Sequence, residues 1–200
     1  MRAQHAAAPL AERVDLVGML LLTSDGTLTP MLERVVGERI VTSQLVRTET
    51  AADSAEAALL TPVEGDRPVS RTTRLVGASS KRVYLLARSV IQPGLLPPSL
   101  RAELSMTDVP IGRLLRRHRV ETFRELLSLH VYDDADHRTD IDPEGGHQVA
   151  AHRRYRMWTG GSAALLIDEY FTPAGVHDRS PQALDEDGLP SEKEGDPTRC

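Results

Sequence analysis

Two stretches of this chain share one design, in which two strand-like runs are joined by a short turn of small residues. Val69 to Val76 and Arg82 to Ile91 flank Gly77-Ala78-Ser79-Ser80, while Arg154 to Trp158 and Ala163 to Phe171 flank Thr159-Gly160-Gly161-Ser162. Runs of this composition bounded by Gly/Ser turns predict β-hairpins, and hairpins commit the chain to antiparallel pairing. A further strand is expected over Glu38 to Thr48, which is rich in Val, Ile and Thr. Helical spacing appears mainly elsewhere. Leu10, Val14, Val17, Leu20 and Leu21 predict a helix from Pro9 to Leu22. A second helix follows the Ser24-Asp25-Gly26 turn, with Thr29 as N-cap, Pro30 at its first position and Gly37 as its stop. Two short helices are expected over Pro97 to Ser105 and Pro110 to Arg117, the latter capped by Thr107 or Asp108. Val120 to Val131 is ambiguous, because Val120, Phe123, Leu126 and Leu127 favour a helix by spacing alone. Strands in hairpins with helices gathered apart from them indicate an antiparallel α+β domain, and the lack of alternation between strands and helices argues against a doubly wound sheet.

One domain is expected over residues 1–176. Residues 177–200 read as an acidic, disordered tail, because Pro, Gly, Ser and acids leave too little apolar surface to offset the entropy of ordering. The formal charge of −5 resides largely there, where seven acids face three bases, so residues 1–176 carry only about −1. A nearly neutral body gives no general attraction to nucleic acid or to a membrane surface. The apolar run Leu16 to Leu22 is too short to span a bilayer and lacks the basic flank of a secretory signal, and a cytoplasmic location is expected. The single cysteine, Cys200, cannot build a disulfide framework or a thiolate metal site within the chain.

Side-chain alternation singles out two charges. Glu169 shares a strand face with Leu165, Ile167 and Phe171, and Arg71 shares one with Val69, Thr73 and Leu75. A charge on an apolar face must be paired or hydrogen-bonded, so one inward acid and one inward base are available to a common cavity. The pattern alone is met equally by a structural ion pair or by strand ends that reach water. Three other clusters are weaker. The acids and histidine from Asp133 to Asp142 miss the spacing of a calcium loop and read as a solvated loop. Arg113, Arg116, Arg117, His118 and Arg119 lack interleaved aromatics and read as a solvated helix face. Arg153, Arg154 and Arg156 read as an exposed sheet face, Arg154 and Arg156 lying with Trp158. No nucleophile motif, phosphate loop or dinucleotide fingerprint is present, and the dispersed histidines imply no metal or cofactor.

The ordered set Asp25-Gly26-Thr27-Leu28-Thr29, Val109-Pro110-Ile111-Gly112-Arg113, Arg154-Tyr155-Arg156, Gly160-Gly161 and Asp168-Glu169-Tyr170-Phe171 resembles the chorismate pyruvate-lyase family over about residues 12–173. The resemblance implies a single six-stranded antiparallel sheet with flanking helices, and hence a strand at Val120 to Val131 in place of the helix. It also implies a monomer whose buried cavity is closed by flaps, and a cofactor-free lyase converting chorismate to 4-hydroxybenzoate and pyruvate. Position by position, it makes Arg71 the grip on the ring carboxylate and Glu169 the carboxylate that meets the ring hydroxyl. Leu28 and Ile111 would contact the ligand through backbone groups, and Arg88 would stand near the access route. A non-catalytic sensor of an aromatic acid, built on a related fold, is the competing reading.

Overall fold

The computed structural model describes residues 14–50, 54–132, 139, 141 and 146–176. Its frame is one six-stranded sheet formed by β1 (Ile40–Glu49), β2 (Val69–Gly77), β3 (Val83–Ile91), β4 (Phe123–Val131), β5 (Ala151–Thr159) and β6 (Ser162–Phe171). The order is β1-β2-β3-β6-β5-β4, and every neighbouring pair is antiparallel. Two three-stranded meanders are thus joined where β3 pairs with β6. Both expected hairpins are present. At the tip of the β5–β6 hairpin Thr159 pairs with Ser162, and Gly160 and Gly161 take φ values of 55° and 79°, the left-handed pair that a two-residue turn requires.

The helical spacing at Val120 to Val131 misleads. The segment forms edge strand β4, paired to β5 with a register shift between Leu126 and Ser128. The extra residue, Leu127, breaks the period-2 alternation, and Phe123, Leu126 and Leu127 are exposed, so their spacing marks no buried stripe.

Helices cover one face of the sheet. The first described helix, α1 (Leu16–Thr23), starts later than Pro9: Asp15 is its N-cap, its carboxylate accepting from the Gly18 N–H at 2.6 Å. Val14 precedes it, Leu20 is exposed, and the buried side is Gly18, Leu21 and Leu22; Pro9 to Arg13 lie outside the described residues. Helix α2 (Leu28–Val36) is capped by Thr27, two residues before the expected Thr29, which is itself buried in the first turn. Gly37 ends α2 in the left-handed conformation, φ 72°. Helices α3 (Pro98–Met106) and α4 (Ile111–Arg117) follow, and Pro110, not Thr107 or Asp108, is the N-cap of α4. A last turn, α5 (Pro173–Val176), packs on α1.

The covered face carries two core clusters. One gathers Leu21, Leu22, Leu32, Leu85 and Phe171 beneath α1, α2 and α5; the other gathers Leu100, Leu114, Met157, Leu165 and Ile167 beneath α3 and α4. The acidic tail from residue 177 lies outside the described residues.

Candidate active site

A cavity of about 50 Å³, with room for a few water molecules, lies along the boundary between the two clusters. Its floor is the inner face of the sheet. Alternation places Arg71, Thr73 and Leu75 of β2, Ala87 and Ser89 of β3, Ile167 and Glu169 of β6 and Tyr155 and Met157 of β5 on it. Its roof is made by the starts of two helices, Thr27 to Thr29 and Pro110 to Gly112. These starts touch closely: a Cβ added to Gly112 would stand 2.9 Å from the Thr27 methyl carbon.

Glu169 and Arg71 therefore open onto one cavity, but in different electrostatic conditions. The Glu169 carboxylate is buried and has two donors: Arg153 Nε at 2.6 Å from Oε2 and the Tyr155 hydroxyl at 3.1 Å from Oε1. Arg153 is itself anchored, its Nη1 donating to the carbonyls of Leu21, Leu22 and Ser24 at 2.9, 3.0 and 3.1 Å. These carbonyls end α1 and would otherwise lack partners, so one guanidinium ties the helix terminus to the carboxylate. Burial opposes the Arg153 charge, but Glu169 outweighs it and holds the guanidinium above its ordinary pKa. Burial, reinforced by Glu169, pushes the Tyr155 phenol upward, which keeps it a donor at neutral pH.

Arg71 is 3% exposed, and its only hydrogen bond among the described residues runs from Nη2 to the Val109 carbonyl at 2.7 Å. Its Nε and Nη1 are buried without a partner among the described residues. Burial, with Arg47 nearby and only partly offset by Asp108, lowers its pKa to about 10. Each buried N–H left unbonded costs on the order of 1–3 kcal/mol, so these groups can receive an acceptor that the described residues do not provide.

The other expected site residues divide. Leu28 and Ile111 are the first residues of α2 and α4 and both line the cavity. Neither helix has a side-chain cap, and the first N–H groups of a helix have no partner within it, so these termini can offer backbone donors. Arg88 is not brought into the cavity. It alternates with Ala87 and Ser89 onto the outer face, where it meets Glu56 at 3.2 Å.

Sequence reasoning missed Arg153, Tyr155 and Arg124, which lines the cavity from β4. For Arg153 a signal was available. It is an odd member of the same alternation that puts Arg154 and Arg156 outside, and it pairs directly across from Glu169. Arg154 and Arg156 do lie on the outer face, held by Asp168 and Glu125, with Arg156 also over the Trp158 ring. Within the basic run, Arg113 is tied to Glu33 and Arg117 and His118 to Glu103, while Arg116, Arg117 and Arg119 are exposed. Within the Asp133–Asp142 cluster only Thr139 and Ile141 are described, and its acids and histidine lie outside the described residues. No group of three metal-binding side chains and no helix long and apolar enough to cross a membrane occurs among the described residues.

The chain is 28% identical to the chorismate pyruvate-lyase of Mycobacterium leprae over 166 residues, covering 83% of this chain and 79% of that protein. It is 26% identical to the chorismate pyruvate-lyase of Mycobacterium tuberculosis (strain H37Rv) over 155 residues, covering 76% and 77%. Among solved structures, the C-terminal domain of the histidine utilization repressor from Pseudomonas syringae pv. tomato aligns with 68% of this chain and 93% of its own, at 16% identity and a TM-score of 0.44. Residues 22–177 match the family described as chorismate pyruvate-lyase Rv2949c-like, a span that includes every residue of the cavity, and the chain belongs to that family.

Proposed function

We propose that the protein eliminates the enolpyruvyl group of chorismate to give 4-hydroxybenzoate and pyruvate, acting in the cytoplasm as a monomer. The observation that carries this reading is the buried Arg71 fork, with two unpartnered N–H groups, opening on the same cavity as Glu169. Arg71 takes the ring carboxylate in a bidentate pair. Glu169, fixed by Arg153 and Tyr155, accepts from the ring hydroxyl and so orients the ring. Leu28 and Ile111 contribute backbone N–H groups from above.

In the reaction the ring–oxygen bond of the enolpyruvyl ether breaks, the hydrogen on the neighbouring ring carbon leaves as a proton, and the released enolpyruvate takes a proton to become pyruvate. The ring becomes aromatic, which supplies the driving force. The protein holds the ligand in the eliminating conformation and places fixed donors where negative charge gathers on the departing oxygen.

The test is incubation of the purified protein with chorismate, following pyruvate and the aromatic product by chromatography, beside Arg71→Ala and Glu169→Ala variants. Equal amounts of pyruvate and 4-hydroxybenzoate, lost in folded variants, are expected. Tight binding of chorismate or 4-hydroxybenzoate without turnover would instead identify a sensor.

A further inference from the structure

The charges around the cavity do not cancel. Glu169 is matched by Arg153, so that pair contributes no net charge. Arg71 remains uncompensated, and so does a second cation, Arg124. Its Nε is buried without a hydrogen-bond partner, its guanidinium carbon lies 5.8 Å from the centre of the Tyr155 ring, and no carboxylate reaches it among the described residues. Its neighbour in sequence, Glu125, is turned to the outer face and engaged by Arg156 and the Trp158 indole.

The sheet sets these cations at opposite ends of the cavity. Arg71 is on β2 and Arg124 on β4, four strand positions apart, with Glu169 on β6 midway between them. At about 4.8 Å per strand the backbones are roughly 19 Å apart, so the two cations stand on well-separated strands rather than side by side. A cavity for a monoanion needs one such cation; this one holds two, separated by a carboxylate that can accept from a hydroxyl.

We infer that Arg124 is a specificity-determining residue that binds the second carboxylate of a dianionic ligand, which makes the cavity selective for dianions over monoanions. Resting on the function proposed above, this assigns the enolpyruvyl carboxylate of chorismate to Arg124 and the ring carboxylate to Arg71. The product 4-hydroxybenzoate keeps only the Arg71 contact. Loss of pyruvate therefore removes half of the charge pairing and favours product release.

The assignment is tested on the full-length protein and its Arg124→Gln, Arg124→Met and Arg124→Lys variants, with chorismate affinity read as KM in the turnover assay and 4-hydroxybenzoate affinity by calorimetric titration. Arg124→Met keeps a long side chain over Tyr155, so it separates loss of charge from loss of packing. Both neutral variants should bind chorismate at least about tenfold more weakly, as expected when a charge-assisted hydrogen bond is removed. Their affinity for 4-hydroxybenzoate should stay within about twofold, and lysine should restore much of the chorismate affinity. Equal weakening of both ligands, or weakening of neither, overturns the role of Arg124. Failure of the unmodified protein to turn over chorismate overturns the proposed function instead, and the two failures are told apart by that control.

Discussion

Two neighbouring acids of β6, Asp168 and Glu169, face opposite sides of the sheet and show how the two sides differ. Asp168 is 4% exposed on the outer face and is closed off by its partners: Arg154 grips it with two bonds at 2.7 and 3.0 Å, and His152 meets it at 2.8 Å. Glu169 is 6% exposed on the inner face and also has partners, yet the cavity beside it holds arginine N–H groups with none. Around Asp168 the outer side is a network of protein charges that satisfy one another. On the inner side Arg71 and Arg153 keep buried guanidinium N–H groups with no partner among the described residues, and those of Arg71 stand beside a cavity where a polar ligand could take them.

Substitution should separate the two kinds of charge. The largest effect is expected for Arg153→Met, which strands a buried Glu169 and frees the carbonyls at the end of α1; urea denaturation should show a loss of about 3–5 kcal/mol. Arg71→Met should do the reverse. It removes a cation that burial disfavours, so the urea midpoint of the ligand-free protein should hold or rise, while kcat/KM for chorismate falls at least about a hundredfold. A fall in stability comparable to that of Arg153→Met would place Arg71 with the structural charges.

Asp168→Asn should cost about 1–3 kcal/mol and leave chorismate turnover within about twofold of the unmodified protein. This variant also carries a pH signature. Burial alone would raise the Asp168 pKa, but hydrogen bonds from His152 and Arg154 outweigh it and hold the carboxyl below its ordinary value. A lowered folded-state pKa means that the stabilisation is complete above the unfolded value of about 3.9 and is lost as pH falls from there through the folded value. Stability curves of the unmodified and Asp168→Asn proteins should therefore converge on acidification below about pH 4. The smallest effect is expected for Leu28→Met, a volume-conserving change where the main chain is what faces the ligand; KM should move less than about twofold.

Much of this contrast could be read from the residues. Alternation in the apolar runs around Arg71 and Glu169 was enough to turn both inward, because a strand with one buried face leaves little freedom of register. The hairpin turns were equally legible, since Gly160 and Gly161 occupy a turn that requires left-handed backbone. What escaped was whatever depended on a partner far away in the chain. Arg153 is flanked by Arg154, and three basic residues close together look like a wetted face until the pairing with Glu169 and the carbonyls of α1, more than a hundred residues earlier, is known. Strand β4 was legible from the family resemblance and not from local spacing, because its bulge at Leu127 disrupts the alternation and Phe123, Leu126 and Leu127 point to solvent at the sheet edge. The start of α2 was displaced because Thr27 and Thr29 are equally good capping types, and that of α4 because Pro110 takes the cap position without a side-chain bond, which a capping rule does not anticipate.

The cavity lies on the boundary between two core clusters that otherwise meet mainly through the sheet, and its roof is the contact of Thr27 with Gly112. A ligand held there would touch the sheet floor and both helix starts of the roof at once. Its binding energy then adds to the cohesion of the whole rather than to either half, by about 2.7 kcal/mol at a hundred times its dissociation constant.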